Sequence, residues 1–543
     1  MRLRPIPSYI EDFSYDLIII GGGINGTAIA RDAAMRGLNV LLLEKEDLCA
    51  GTSAWSSRLM HGGLRYLEYY EIDLVRESLR ERERLFWTAP HLVKPLPFVI
   101  PFFRHNKRGP LLIRLGMIGY DILSFDKSVP FHTMMSHKKA LEEYPGLNQL
   151  GLKGAALYYD GQVELAERMC IENALSAHEN GATILTYARV DDFIMSGDTV
   201  QGVKFSDLLD DERTYQVKSP VVINVSGPWV DTLLRGTKHA TRQLMGGTKG
   251  SHIIVDPFHG SPKSAIYFES VADGRPMFII PWNKRYLIGC TDIRYDDDLD
   301  YIVANDEEIA YILHEVNGVI PEAKLTTGDI HYTHSGIRPL PHTADGSTAS
   351  ITRRHIVYDH APDVQGLFSI IGGKLTTFRA LAEHAVDAVF RKLKRKKVKC
   401  GTFHMPFPGA NVLDFIAFRT EFKQKSDLPS ETAERLLDIY GVRSLEILKI
   451  IEGDADLKTC FSPNTGAIKA EVIFAFKHEM AERISDVLMR RTMIGLEPNM
   501  GIGEDEETAK IGQVYFGWDD ERAKAEVAYH REYIKRFRPK IQC

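Results

Sequence analysis

The sequence predicts an α/β protein with an inserted antiparallel sheet, followed by a separate α-helical domain. Residues 15–44 have the order strand, glycine turn, helix and strand, and residues 364–399 repeat strand, glycine turn and helix. Residues 244–340 alternate as antiparallel strands do. From 410 to 543, about five segments have apolar positions at i, i+3, i+4 and i+7, including a long helical pattern over 470–491.

Length and composition exclude several classes of protein. The chain has 543 residues, which corresponds to roughly three to four structural units at ordinary domain sizes. Hydrophobic residues are 44% and charged residues 26%, as in globular proteins and unlike disordered chains. The formal net charge of −6 argues against nucleic-acid binding through bulk charge.

The cysteine pattern and the lack of long apolar runs favour an intracellular protein. The six cysteines form no C-x-x-C motif, so neither a disulfide framework nor a metal site is expected. No run of about 18 apolar residues occurs, and the N-terminus lacks the apolar core of a secretory signal. We therefore expect an intracellular protein that does not cross a membrane but can lie on one.

Residues 15–44 predict a Rossmann-like dinucleotide site. An apolar strand leads into Gly21, Gly23 and Gly26, spaced as G-x-G-x-x-G, and Glu44 ends the next strand. Gly21 permits the tight turn, Gly23 lets the backbone approach a pyrophosphate, and Gly26 lets helix and strand pack closely. The helix N-terminus favours phosphate, and Glu44 can accept hydrogen bonds from a ribose. The motif fits FAD or NAD, and its place near the start of a long chain favours FAD.

Two later turns are predicted to contact the same cofactor. Ser226, Gly227 and Trp229 follow the apolar run VVINV. Gly372 and Gly373 follow LFSII and open a helix, whose N-terminus would stabilise negative charge on a reduced flavin.

A series of motifs in order resembles the FAD-dependent, respiratory glycerol-3-phosphate dehydrogenases. They are GGGINGTAIARDAAMRGL (21–38), RLMHGGLRYLEYYEIDLVRESLRERERL (58–85), NVSGPWVD (224–231), KGSHIIV (249–255), SGIRPL (335–340), IIGGKLTTFRALAEHAVD (370–387) and RRTMIG (490–495). The resemblance covers nearly the whole chain. It implies a flavin-binding Rossmann-like domain with an inserted substrate domain, similar to the glycine oxidase and D-amino-acid oxidase group, and a C-terminal helical domain.

The resemblance and the sequence patterns together predict domain boundaries. The oxidoreductase region is expected at 1–405 and the helical domain at 406–543. The FAD-binding parts are expected at about 1–100, 155–240 and 340–400, and the substrate-binding parts at about 101–154 and 241–339.

The resemblance also implies which residues contact FAD. Small and hydroxyl residues after Glu44 suit a backbone that lies against a flat cofactor. The expected cofactor-binding residues are Gly21, Gly23, Ile24, Asn25, Gly26, Glu44, Lys45, Thr52, Ser53, Ser57, His61, Gly62, Gly63, Leu64, Val190, Ser226, Gly227, Trp229, Gly372, Gly373, Lys374 and Leu375.

The reaction implied by the resemblance is oxidation of sn-glycerol 3-phosphate to dihydroxyacetone phosphate. A hydride passes from carbon 2 to the flavin, the 2-hydroxyl loses a proton, and the electrons continue to a membrane quinone. A phosphate dianion needs cations with several donors, arginine above all. The matching motifs assign Arg65, Tyr66, Arg338 and Lys374 to substrate binding, with Arg353 as a weaker candidate.

The expected catalytic residues are His252, Arg338 and Lys374. A proton acceptor that titrates near neutral pH favours histidine. Both His61 and His252 lie in matching motifs. His252 is preferred because its motif begins a strand of the expected substrate-binding part, whereas His61 is expected to orient the flavin loop. A purely structural role for His252 is the alternative.

Contact with a lipid-soluble quinone requires a membrane surface, and two segments fit one. Residues 102–123 mix basic and long apolar side chains, and residues 391–399 carry seven basic residues in nine. A buried loop and a solvated linker are the respective alternatives. The expected membrane contacts are Leu111, Leu112 and Ile113, with Arg108 and Arg114 beside them. This places the protein in the cytoplasm, peripherally on the inner face of the cell membrane.

Three other functions remain open at this stage. A glycerophosphate oxidase shares the motifs but resembles longer chains with an extra insertion. A non-catalytic flavoprotein would not need Arg65, Arg338 and Lys374 as a phosphate clamp. The glycine motif alone also fits a soluble NAD-linked dehydrogenase. The sequence leaves open a homo-oligomer.

Overall fold

A computed structural model describes residues 3–235, 242–343 and 351–540. Its strands are β1 (Leu17–Ile20), β2 (Val40–Leu43), β3 (Leu59–Met60), β4 (Val93–Phe103), β5 (Thr133–Ser136), β6 (Leu152–Val163), β7 (Thr183–Leu185), β8 (Ala188–Ser196), β9 (Thr199–Asp207), β10 (Arg213–Lys218), β11 (Val222–Asn224), β12 (Thr248–Val255), β13 (Ala265–Glu269), β14 (Pro276–Trp282), β15 (Arg285–Gly289), β16 (Ile293–Arg294), β17 (Ile330–Arg338), β18 (Ile356–Asp359), β19 (Leu367–Ile371), β20 (Cys460–Ser462) and β21 (Ala467–Ile468). Its α-helices are α1 (Ile24–Met35), α2 (Ile72–Thr88), α3 (Pro110–Leu123), α4 (His137–Glu143), α5 (Ala166–Glu179), α6 (Val230–Leu234), α7 (Asp306–Val319), α8 (Phe378–Lys392), α9 (Phe415–Lys425), α10 (Ser430–Tyr440), α11 (Ser444–Gly453), α12 (Lys469–His478), α13 (Ile484–Asp486), α14 (Glu504–Phe516) and α15 (Asp520–Ile534).

A six-stranded sheet forms the centre of the first region. Its order is β18-β19-β11-β1-β2-β7, and every pair is parallel except β18 with β19. Ile19 and Leu42 pack towards α1, α5 and α8, whereas Ile18 and Leu41 pack towards the antiparallel sheet β8–β10. Both faces are therefore buried, which explains the unbroken apolar run of β1.

A ten-stranded sheet forms the second layer. Its main order is β16-β12-β15-β14-β13-β4-β6-β3, with β17 paired to β12 and β5 paired to β6. Its strands come from 59–60, 93–163 and 248–338, so three separate parts of the chain build it. Helix α7 buries Ile312 and Val316 against Ile253 and Ile279 of this sheet.

The C-terminal part is helical and is joined to the first region by buried ion pairs. It contains α9–α15 and the small hairpin β20–β21. The prediction of one long helix over 470–491 is wrong: α12 ends at His478, and the chain continues through α13 into a π-helical turn. The break occurs where Glu479 turns inward and accepts hydrogen bonds from Arg168 of α5, with N–O distances of 2.6 and 2.7 Å.

Candidate active site

A cavity of about 730 Å³ lies between the two sheets, at the carboxyl ends of the parallel strands. Gly21 follows β1, Glu44 follows β2, Ser226 follows β11 and Gly372 follows β19, and all four residues line it. Ligands of open α/β sheets bind at this edge. The three predicted glycine turns therefore meet at one site although they are far apart in sequence.

Most of the predicted site residues line this cavity. They are Gly21, Gly23, Ile24, Asn25, Glu44, Lys45, Thr52, Ser53, Ser57, His61, Tyr66, Val190, Ser226, Gly227, Trp229, His252, Arg338, Arg353, Gly372, Gly373, Lys374 and Leu375. Five predicted residues do not line it: Gly26, Gly62, Gly63, Leu64 and Arg65.

The five residues that do not line the cavity make packing or backbone contacts next to it. A Cβ on Gly26 would lie 1.8 Å from the Gly21 carbonyl oxygen, so Gly26 serves helix–strand packing. A Cβ on Gly62 would lie 2.4 Å from the Tyr120 hydroxyl, and Gly63 has φ +82°. Leu64 packs into the core, while the Arg65 guanidinium lies 5.8 Å from the Tyr69 ring.

The first glycine turn leaves room for a phosphate. Gly21 has φ +115°, which favours glycine, and a Cβ on Gly23 would lie 3.2 Å from Ser53 Oγ. The Ile24 N–H donates to Ser53 Oγ at 3.0 Å, which ties the helix start to the following loop. Asn25 Oδ1 is buried and finds no hydrogen-bond donor among the described residues. This cradle fits the phosphates of a dinucleotide, and Asn25 Oδ1 can accept a hydrogen bond from a donor group of the same ligand.

One end of the cavity combines residues that follow strands of the parallel sheet with Asp300, which lies between β16 and α7. The Glu44 carboxylate accepts hydrogen bonds from the Gly22 N–H at 2.6 Å and the Glu46 N–H at 2.8 Å. Burial raises the pKa of Glu44. Lys45 stacks on the Trp229 ring at 4.2 Å, and Asp300 binds both Lys45 and the indole N–H of Trp229. Asp300 belongs to none of the sequence motifs.

A cationic group occupies the opposite end. Arg338 donates to Asp292 Oδ1 at 3.0 Å, to Cys290 Sγ at 2.9 Å and to the Thr291 carbonyl oxygen at 3.1 Å. Arg353 lines the same end, and its Nη1 has no acceptor in the described part of the chain. Burial and the nearby Arg338 lower the pKa of Arg353, although Tyr66 opposes this. An anion here would relieve the repulsion between the two guanidinium groups.

Lys374 lies beneath this end of the cavity. Its Nζ donates to the His61 carbonyl oxygen at 3.0 Å and to Ser78 Oγ at 2.8 Å, and it lies 4.9 Å from the Tyr66 ring. Burial lowers the pKa of Lys374 to about 7, even though Asp160 acts in the opposite direction. Lys374 is therefore balanced between its charged and neutral forms near neutral pH.

Neither candidate histidine titrates near neutral pH. His252 Nε2 forms a 2.9 Å hydrogen bond with Ser57 Oγ, and its ring stacks on His334 at 4.7 Å. Burial, with Arg338 and Arg58 nearby, lowers the pKa of His252 to about 3. Burial and the neighbouring Lys374 also lower the pKa of His61 well below its usual value. The near-neutral pKa that favoured histidine belongs instead to Lys374.

Several lining residues were not among the predicted site residues. Gly250 leaves space for Arg338, because a Cβ there would lie 2.3 Å from its Nη2. Cys290 contacts Arg338, and Arg536 and Phe537 reach the cavity from the end of the chain. Each comes into place through tertiary packing, and apart from Gly250, which lies in the motif KGSHIIV, none belongs to a motif identified in the sequence.

The predicted membrane segment is only partly exposed. Leu111 and Leu112 of α3 are 73% and 56% exposed, but Ile113 is 8% exposed and packs into the core. Arg108 is paired with Glu68 and Glu269, so the expectation that it is available to a membrane is wrong. The exposed apolar face of α3 consists of Leu111, Leu112, Leu115, Ile118 and Ile122.

The basic segment 391–399 is partly held by the protein. Lys392 binds Gln365, Arg395 binds Asp16, and Lys397 binds Asp387. Within the described ranges, no helix combines the length and apolarity needed to cross a bilayer.

Comparison with known proteins identifies the family. Residues 16–388 match the FAD dependent oxidoreductase model, and residues 400–523 match the model for the C-terminal domain of alpha-glycerophosphate oxidase. A glycerol-3-phosphate dehydrogenase of Synechocystis sp. is 44% identical, with 98% of each chain covered. The Bacillus halodurans glycerol-3-phosphate dehydrogenase, solved with FAD, has a TM-score of 0.80 at 27% identity, covering 98% of this chain and 97% of that one.

The predicted fold class is also confirmed. Glycine oxidase from Bacillus cereus superposes with a TM-score of 0.50 at 20% identity, over 70% of this chain and 95% of that one. The likeness agrees with the mixed sheets of the first region, and the helical part follows it. FAD is the cofactor of this family, and the cradle at Gly21–Gly23 fits it. The chain belongs to the family of FAD-dependent glycerol-3-phosphate dehydrogenases.

Proposed function

We propose that this protein oxidises sn-glycerol 3-phosphate to dihydroxyacetone phosphate and passes the electrons to a membrane quinone. The names of its relatives support the substrate. The observation that carries the proposal is the pair Arg338 and Arg353 with Lys374 at one end of the cofactor cavity. The two guanidinium groups beside a flavin site fit a small phosphorylated substrate.

The substrate site combines two parts of the chain. His252 and Arg338 lie on β12 and β17 of the larger sheet, and Cys290 directly follows β15. Lys374 lies at the end of the parallel sheet. In our proposal, 101–154 and 241–339 form the substrate-binding parts, and Arg338 and Arg353 bind the phosphate. Arg65 is not assigned to the phosphate in this proposal, because it does not line the cavity.

The proton of the 2-hydroxyl goes to a group of this chain. FAD, when bound, supplies the acceptor for the hydride. Lys374 is the better proton acceptor because its pKa of about 7 leaves a large neutral fraction at physiological pH. His252 is neutral throughout that range and orients the hydroxyl through its ring. Ser57 fixes that ring by its hydrogen bond.

The exposed apolar face of α3 is the proposed membrane contact. Five large apolar side chains on one helix face, with the exposed Arg114 beside them, fit an interfacial helix that inserts on one side. Attachment of this kind is peripheral and brings the protein to the lipid in which a quinone dissolves.

An anaerobic titration tests the proposal. Glycerol 3-phosphate should bleach the flavin absorbance without oxygen, and a quinone analogue should restore it. The alternative is an oxidase, because the C-terminal family model carries an oxidase's name. Rapid oxygen consumption with stoichiometric peroxide would establish that alternative. If glycerol 3-phosphate does not bleach the flavin, both the dehydrogenase and the oxidase are excluded, and a non-catalytic flavoprotein remains.

A further inference from the structure

The last turn of the chain contributes a cation to the cofactor cavity. Helix α15 continues into the short turn Lys535–Phe537, and both Arg536 and Phe537 line the cavity. The family models end at residues 388 and 523, so both residues lie beyond them. The helical region is therefore part of the wall of the site.

Tertiary contacts hold this turn in place. The Phe537 ring lies 4.6 Å from that of Trp55, and its carbonyl oxygen accepts a hydrogen bond from Thr333 Oγ1 at 3.1 Å. Further along, the Lys540 N–H donates to the His331 carbonyl oxygen at 2.7 Å. These contacts of the residues that follow Arg536 hold its turn in place.

Arg536 has no anionic partner among the residues that the structure describes. Its Nε is buried, and of the residues that the structure describes none accepts a hydrogen bond from its guanidinium group. Its recorded partner is the Tyr533 ring, 4.4 Å away. By contrast, Arg338 is paired with Asp292, and Lys45 with Asp300. Because this buried Nε has no acceptor among the described residues, an anion from outside the chain is expected to complete the site.

We propose that Arg536 binds the phosphates of FAD. In oxidised FAD the phosphates are the only anionic part. Arg536 belongs to the cofactor side of the cavity: Arg490 donates to the Tyr533 hydroxyl at 3.1 Å and to Asp47, which lies shortly after Glu44. The phosphate-binding candidates Arg338 and Arg353 form a separate group around Tyr66. The inference rests on FAD as the cofactor and not on the substrate or the electron acceptor.

Titration of the flavin-free protein with FAD tests this role. Arg536→Gln should raise the Kd for FAD about tenfold to hundredfold, as expected for a lost charge-assisted contact. Arg536→Lys should recover part of the affinity because it keeps the charge. The matched control Lys535→Gln removes the same charge from the adjacent, exposed residue and should leave the Kd within a factor of about two.

Two further measurements separate the possible ligands. Binding of riboflavin, which lacks phosphate, should be the same in Arg536→Gln and in the parent protein. The KM for glycerol 3-phosphate at saturating FAD should also be unchanged. An unchanged Kd for FAD would overturn the proposal, and a raised KM with an unchanged Kd would assign Arg536 to the substrate phosphate instead. If Arg536→Gln weakens the flavin-free fold, the rise in Tm on adding FAD still decides, because it should be smaller than with Arg536→Lys.

Discussion

Arg338→Ala tests the phosphate site most directly. The guanidinium group lines the cavity and is oriented by Asp292 and by the Thr291 carbonyl oxygen, so it needs little reorganisation to meet a phosphate. A lost charge-assisted contact corresponds to about 1.5–3 kcal/mol, or about a tenfold to hundredfold rise in KM. Asp292 already shares the charge and Arg353 remains nearby, so we expect the lower half of that range.

The assay compares two substrates with a soluble dye as electron acceptor. The KM for glycerol 3-phosphate should rise strongly, whereas the poor activity on glycerol, which has no phosphate, should hardly change. FAD content should stay at the parent level. Arg354→Ala is the matched control, because Arg354 is adjacent to Arg353 but exposed, with its guanidinium 3.9 Å from Asp73. Equal losses on both substrates would refute the reasoning and give Arg338 a role in the chemistry or the fold.

Three more changes test the cofactor, the proton acceptor and the membrane contact. Gly23→Val should abolish FAD binding, since its side chain would meet Ser53 Oγ and fill the phosphate space; a fully flavin-loaded variant, measured by visible absorbance, would contradict this. If neutral Lys374 accepts the proton, kcat should fall as pH drops through about 7, and Lys374→Arg should lose this pH step and most of the activity. A pH profile unchanged in that variant would exclude the role. Replacing Leu112 and Leu115 together by Asp should release the protein from membranes with dye-linked activity intact, as sedimentation would show. If the variant still sediments and reduces quinone normally, the contact lies elsewhere.

The choice of Leu112 and Leu115 for the membrane variant shows how burial changes a sequence-based design. A pair such as Leu112 and Ile113 looks equivalent in sequence, because both are large and apolar beside basic residues. On α3 they point in different directions, and Ile113 packs into the core. Asp at position 113 would therefore disrupt folding and could not report on membrane binding. Leu115 is the suitable second position because it shares the exposed face of α3 with Leu112.

The cofactor motif was predictable because its requirements are local. Gly21 must adopt a positive φ and Gly26 must accommodate a crossing backbone, and each demand is met by glycine wherever the rest of the chain lies. The apolar strand and the helix around them follow from short-range periodicity. Local sequence thus determined the fold class and the dinucleotide site, whereas the choice of FAD over NAD came from the motif's place in the chain and from the family resemblance.

Burial and long-range pairing decided the rest. The helical pattern over 470–491 was broken because Glu479 pairs with Arg168, a partner distant in sequence. The low pKa of His252 and the near-neutral pKa of Lys374 arise from burial that no motif encodes. Arg536 reaches the cavity only because the last helix packs against the first region. Local sequence determines backbone conformation, whereas the electrostatics of a site depend on which distant groups the tertiary structure brings within a few ångströms.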